Sequence, residues 1–140
     1  MNNLKAFLNP IKEENAKYVV SKRFLDDNGK PIEWEIKALT SEEDENLRKM
    51  CTKRVPIVGK RGQYTQDLDA NKYVGLLVSS CTVYPNLNDK ELQDGYKVMG
   101  ADALLKAMLK PGEYAEYTRK VQDINGFDLS MEELVEEAKN

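Results

Sequence analysis

Apolar positions along the chain change their spacing several times, and each change marks an element. Leu4, Phe7, Leu8 and Ile11 stand at i, i+3, i+4 and i+7, one face of a helix that Pro10 limits to about two turns. This segment, residues 1–16, reads either as an arm folded back on the core or as one that docks on a neighbouring subunit or a client. From Tyr18 the pattern becomes extended. Tyr18, Val19 and Val20 open one run, Asp26-Asp27-Asn28-Gly29-Lys30-Pro31 supplies turn residues, and the second run alternates cleanly. Ile32, Trp34, Ile36 and Ala38 share one face, and Glu33, Glu35 and Lys37 the other, which predicts a β-hairpin over 17–39.

After Thr40 the period becomes helical. Thr40 and Glu43 form a capping-box pair before a helix that points Leu47, Met50 and Cys51 inward. Periodicity then disappears, so residues 53–67 read as an exposed, flexible loop. Asp69 caps a segment running to about Tyr84, with Tyr73, Leu77, Cys81 and Tyr84 on one face. Its β-branched residues (Val74, Val78, Val83) leave a strand as the competing reading. The small-residue stripe Lys72, Gly75, Ser79 and Thr82 would admit a second helix closely, within the chain or from another subunit. Further helices follow. One is capped by Asn88 or Asp89; one carries Ala101, Leu104, Leu105 and Met108; one carries Tyr114, Tyr117, Val121 and Ile124 and ends at Gly126; the last opens at Ser130 with Glu133. The expectation is one α+β domain, a β-hairpin near the N-terminus packed on a predominantly helical body over 40–140.

Composition narrows what such a domain does. Its 140 residues are 41% hydrophobic, enough for a core, and 32% charged, above the roughly 25% usual in globular domains. With 21 basic and 24 acidic residues well mixed, it lacks the basic excess of a nucleic-acid binder. Cys51 and Cys81 are not spaced as a redox or metal pair and suit the apolar interior of a protein in a reducing compartment. The opening residues do not resemble a signal peptide, and no apolar run approaches a membrane span, so a cytoplasmic protein is expected.

Histidine is absent. This removes the commonest general base near neutral pH and every Ser-His, Cys-His or HExxH device. The GKRG sequence at 59–62 is not a phosphate loop, because the GxxxxGK[ST] spacing fails. Acidic pairs such as Glu42/Glu43 fall at helix starts, where the helix dipole accounts for them. No catalytic residue, metal ligand or cofactor site is therefore assigned. What remains is apolar and aromatic surface between charges, which commonly serves protein contacts. The partner-binding candidates are Leu4, Phe7, Leu8, Ile11, Tyr114 and Tyr117.

Several strings carry a resemblance. The run from Tyr84 to Gln93 (YPNLNDKELQ), then Tyr96, Val98 to Ala101, Leu104-Leu105-Lys106 and Met108-Leu109-Lys110-Pro111-Gly112-Glu113-Tyr114 resemble the XkdN-like tail assembly chaperones of phages and prophages. So do Ile124-Asn125-Gly126-Phe127, Glu137-Ala138-Lys139-Asn140, and the hairpin closing at Ala38-Leu39-Thr40 before an acidic helix. The likeness runs from Lys17 to the C-terminus; the first dozen residues and 53–66 inherit nothing from it. The resemblance implies a non-catalytic role with no cofactor. It implies binding of the tape measure protein, recruitment of tail tube subunits, and action in the host cytoplasm. Self-association is compatible with it, and a structural tail protein retained in the particle is the alternative.

Overall fold

The computed structural model describes residues 3–127. Strands β1 (Ala16–Tyr18) and β2 (Trp34–Ile36) pair antiparallel, with Ala16 opposite Ile36 and Tyr18 opposite Trp34. The predicted turn lies between them. The Asp26 carboxylate accepts the amides of Asn28 (2.8 Å) and Lys30 (2.9 Å), and Gly29 takes φ +79°, which a glycine adopts without strain. The hairpin is paired at its base and near its tip, where Leu25 bridges Pro31, but not between, where Val20 and Ser21 turn into the interior.

Helix α2 (Ser41–Cys51) begins at the predicted capping box. The Glu43 amide donates to Thr40 Oγ1 (3.2 Å) and the Thr40 amide to Glu43 Oε1 (3.0 Å). Cys51 is buried and Leu47 half-buried. Met50, expected inward, is exposed, because the buried stripe of this short helix is only as wide as the Leu47–Cys51 pair. The next segment differs from its reading as a loop. Strands β3 (Thr52–Pro56) and β4 (Tyr64–Leu68) form an antiparallel hairpin in register from Thr52–Leu68 to Pro56–Tyr64. None of its residues is buried, so neither face carries the alternation that announces a strand.

Helix α3 (Ala70–Cys81) runs through the centre, its first turn capped by Asp69 accepting the Lys72 amide (3.2 Å). Tyr73, Leu77, Val78 and Cys81 are buried. The helix reading holds to Cys81, and then the strand reading takes over. Strand β5 (Thr82–Tyr84) pairs with the free edge of β2, giving a three-stranded sheet in the order β1-β2-β5. β-branched Thr82 and Val83 fit that edge better than another helical turn. Sandwiched between two strands, Trp34 and Ile36 are fully buried, whereas Ala38, beyond the ladder, is exposed.

Helices α4 (Lys90–Gly95), α5 (Ala101–Met108) and α6 (Pro111–Ile124) complete the body. The small-residue stripe of α3 is used within the chain: a Cβ on Gly75 would lie 3.5 Å from Asp102 Cβ and 3.3 Å from Lys106 Nζ, both on α5. Helix α6 ends in a Schellman motif, with the Phe127 amide on Gln122 O (2.9 Å), the Gly126 amide on Asp123 O (3.1 Å), and Gly126 at φ +80°. Just before it, the Asn125 side chain accepts the Leu39 amide (2.8 Å) and donates to Val121 O (2.8 Å) and Cys81 Sγ (3.4 Å). The core joins sheet to helices through Trp34, whose ring meets Tyr117 edge-on at 5.4 Å and Phe24 at 6.4 Å. The fold is α+β, a small antiparallel sheet packed on a mainly helical body. The helix expected from Ser130 lies outside the described residues.

Candidate functional site

The arm forms helix α1 (Leu4–Leu8), followed by an irregular stretch into β1. It buries none of its residues. Phe7 is 82% exposed, Leu8 70%, Ile11 93% and Leu4 59%, so an apolar stripe stands on the outside of the molecule. Such a stripe in water is unfavourable by about 25 cal/mol for each Å² a partner would cover. The arm therefore brings four of the six partner-binding candidates together.

The two tyrosines are elsewhere. Tyr117 is fully buried, edge-on to Trp34, and its hydroxyl is hydrogen-bonded to Thr82 Oγ1. That corrects its assignment as a surface contact: the helical face it marks points into the core. Tyr114, on the same face, is half-buried against the core, and burial together with the charge of Asp102 raises its phenol pKa. Of the other aromatics between charges, Phe127 packs on the core and Tyr64 stands on the β3–β4 hairpin beneath the Arg54 guanidinium, 4.3 Å away.

The titratable groups of the interior are engaged in structure. Burial raises the pKa of both thiols, Cys51 and Cys81, and both cysteines are free and buried, which makes them poor nucleophiles. The Tyr73 hydroxyl donates to Asp44, whose other oxygen takes Arg48 Nε at 3.0 Å while the guanidinium lies 4.6 Å over the tyrosine ring. Burial first, then that hydrogen bond, pushes the Tyr73 pKa up to about 12, so the residue remains a donor tying α2 to α3. Arg23, on the strand connection, reaches Glu113 Oε1 at 2.6 Å and Met108 O at 2.8 Å. The Arg23 hydrogen bond is the first cause holding the Glu113 carboxyl down at about 2. Among the described residues, no three His, Cys, Asp or Glu side chains are grouped to hold a metal, and no helix is long and apolar enough to cross a membrane.

Two exposed features were not foreseen as sites. One is the β3–β4 hairpin, with Val58 99% exposed at its tip. The other is an open groove of about 580 Å³ lined by Tyr84, Pro85, Leu92 and Tyr96, with Asp89 and Glu91 among its polar lining. Their sequence signals, Gly59 and Gly62 around a basic pair and Tyr84 beside Pro85, become a surface only through strand pairing and packing.

Known proteins resemble this chain in both sequence and fold. The chain is 36% identical over 131 residues to the Phage-like element PBSX protein XkdN of Bacillus subtilis strain 168, covering 93% of this chain and 87% of that one. It is 37% identical, with the same coverage, to the YqbN protein of the same strain. A crystal structure of a YqbN protein superposes with a TM-score of 0.76 at 29% identity, covering 91% of this chain and 99% of that one. The model of the phage XkdN-like tail assembly chaperone family matches residues 4–139, which takes in the arm and the β3–β4 hairpin that the motif resemblance left out. The match spans nearly the whole chain, and the chain belongs to the XkdN-like phage tail assembly chaperones.

Proposed function

We propose that this protein binds the tape measure protein in the host cytoplasm, keeps it soluble, and helps bring tail tube subunits to it, with the arm as its client-facing surface. The observation that carries the reading is the stripe of Phe7, Leu8 and Ile11, which is apolar, amphipathically spaced and buried against nothing in its own fold. A long helical client exposes apolar stripes of its own, and a short amphipathic arm covers them reversibly. A helix of five residues is too short to be stable alone, so it firms up on the client, which keeps each contact weak. Many copies along one client then hold it by avidity.

Co-expression tests this. The protein should raise the yield of soluble tape measure protein and co-purify with it. Phe7→Asp with Leu8→Asp should weaken that complex by about 30-fold or more, corresponding to about 2 kcal/mol, while the thermal midpoint of the free protein is unchanged. Binding that survives those substitutions excludes the arm as the client surface. Stoichiometric copies in purified particles would instead make it a structural tail protein.

A further inference from the structure

The walls of the Tyr84–Tyr96 groove are fixed by the fold. Strand β5 ends at Tyr84, and the chain turns through Pro85 and Asn86 towards α4. Leu87 is fully buried and anchors that turn in the core. The Gln93 side chain donates to Leu87 O at 2.8 Å and accepts the Gly100 amide at 3.1 Å, which ties α4 to the turn before it and to the chain after it. The walls are therefore in place before a partner arrives, which lowers the cost of binding. The volume of about 580 Å³ lies within the roughly 300–1,000 Å³ usual for ligand sites.

The lining converges on a cation. Tyr84 is 54% exposed and Tyr96 38%, and a tyrosine ring attracts a cation over its face. Tyr18, Tyr64 and Tyr73 each carry a cation of their own chain over the ring, from Lys120, Arg54 and Arg48. Tyr84 and Tyr96 carry none among the described residues. Arg23, whose charge reaches Tyr96, is already committed to Glu113 and to Met108 O. Asp89 and Glu91 stand in the same lining, and neither has an ion-pair partner among the described residues. One Asp89 oxygen caps α4 by accepting the Leu92 amide at 2.9 Å, whereas Glu91 is exposed. Lys90, between them in sequence, does not line the groove.

We propose that the groove binds an arginine side chain carried on a partner polypeptide, its aliphatic stem along Pro85 and Leu92 and its guanidinium among the Tyr84 and Tyr96 rings and the Glu91 carboxylate. Arginine fits better than lysine, because a planar guanidinium stacks on a ring and forks to a carboxylate at once. The site is separate from the arm. Ile36 stands opposite both Thr82 and Ala16, where the arm enters the sheet, while the groove opens past Tyr84, opposite Glu35, at the other end of β5. The inference thus goes beyond the client reading. With one partner on the arm and another in the groove, the protein holds two at once, which the proposed recruitment of one component to another requires.

Amide shifts of the isotope-labelled full chain, titrated with synthetic pentapeptides, test it. The probes are acetylated, amidated Ala-Leu-Arg-Leu-Ala and the same peptide with citrulline, which keeps the shape of arginine without its charge. The arginine peptide should bind at least about tenfold more tightly at low salt, with shifts centred on residues 84–96. That advantage should vanish in Glu91→Gln and in Tyr96→Ala, with circular dichroism confirming that both are folded. Equal binding of the two peptides, no saturable binding of the arginine peptide, or shifts centred elsewhere overturns the proposal, as does an advantage that survives both substitutions. No client takes part, so failure here leaves the arm reading standing. The arm variant of the client test should bind the arginine peptide as the wild type does; loss of binding in that variant would overturn the separation of the two sites.

Discussion

Replacing Tyr117 by phenylalanine removes one oxygen from the centre of the molecule, and the structure specifies what that does. The Thr82 hydroxyl lies 2.9 Å from Val78 O and 2.5 Å from the Tyr117 hydroxyl. A carbonyl only accepts, so the single Thr82 proton goes to Val78 and Tyr117 must be the donor to Thr82 Oγ1. Tyr117→Phe therefore deletes a donor while Thr82 keeps its bond to the backbone. The ring stays edge-on to Trp34, and no cavity larger than the lost oxygen is left. The expected cost is that of one buried neutral hydrogen bond, about 1 kcal/mol, with a midpoint shift of about 3 °C in a domain of this size. Urea unfolding is the assay, and the midpoint should fall with the m-value unchanged. The proposed binding to the tape measure protein should be unaffected, since the side chain reaches no surface. A stability equal to the wild type would refute the hydrogen-bond assignment, and weakened client binding at full stability would refute the burial of this residue.

Three further outcomes follow from the same geometry. Lys97 closes α4 in a Schellman motif, its amide on Asp94 O and that of Val98 on Gln93 O, at φ +58°, where an L-residue is strained. Lys97→Gly relieves roughly 1–2 kcal/mol of strain but adds freedom to the unfolded chain, so a net gain of about 0.5–1 kcal/mol is expected in urea unfolding; a loss would contradict it. Glu113 is lowered to about 2 in the folded protein, chiefly by the Arg23 hydrogen bond, so its contribution is full above the unfolded carboxylate pKa and is lost as pH falls through the folded one. The wild type should melt above Glu113→Gln at neutral pH and lose that advantage between about pH 5 and pH 2; a difference independent of pH would exclude the ion pair as its source. Phe7→Asp with Leu8→Asp should leave the melting curve of the free protein in place, as calorimetry would show.

What was legible in the sequence follows from how far each signal reaches. The caps at Thr40, Asp69 and Asp89 each join a side chain to an amide three residues on, and the Gly126 ending joins amides to carbonyls three and five residues back; all are formed, with Asp89 rather than Asn88 as the third cap. The Trp34–Ile36 strand was equally plain, because one of its faces is buried. Strand β5 was not, since the feature that ends α3 at Cys81 is the open edge of β2, some fifty residues earlier in the chain. The β3–β4 hairpin buries neither face and so carries no alternation. Tyr114 and Tyr117 were placed correctly on one helical face, but periodicity does not say whether such a face meets the core or solvent; the edge-on contact with Trp34 decides it. The arm, by contrast, keeps Leu4, Phe7 and Leu8 on a helix as the spacing predicts, but that helix ends at Leu8 and leaves Ile11 in irregular chain beyond it.

That division between body and arm has an evolutionary side. Since α1 buries nothing, substitutions there leave the folded body's stability nearly untouched, and their effect falls on whatever the arm meets. Most core changes in a marginally stable domain reduce the folded population, which restrains their drift. The arm is exempt from that restraint. Its sequence can therefore change one residue at a time, while the capped helices and the Trp34–Tyr117 core beneath it remain as they are.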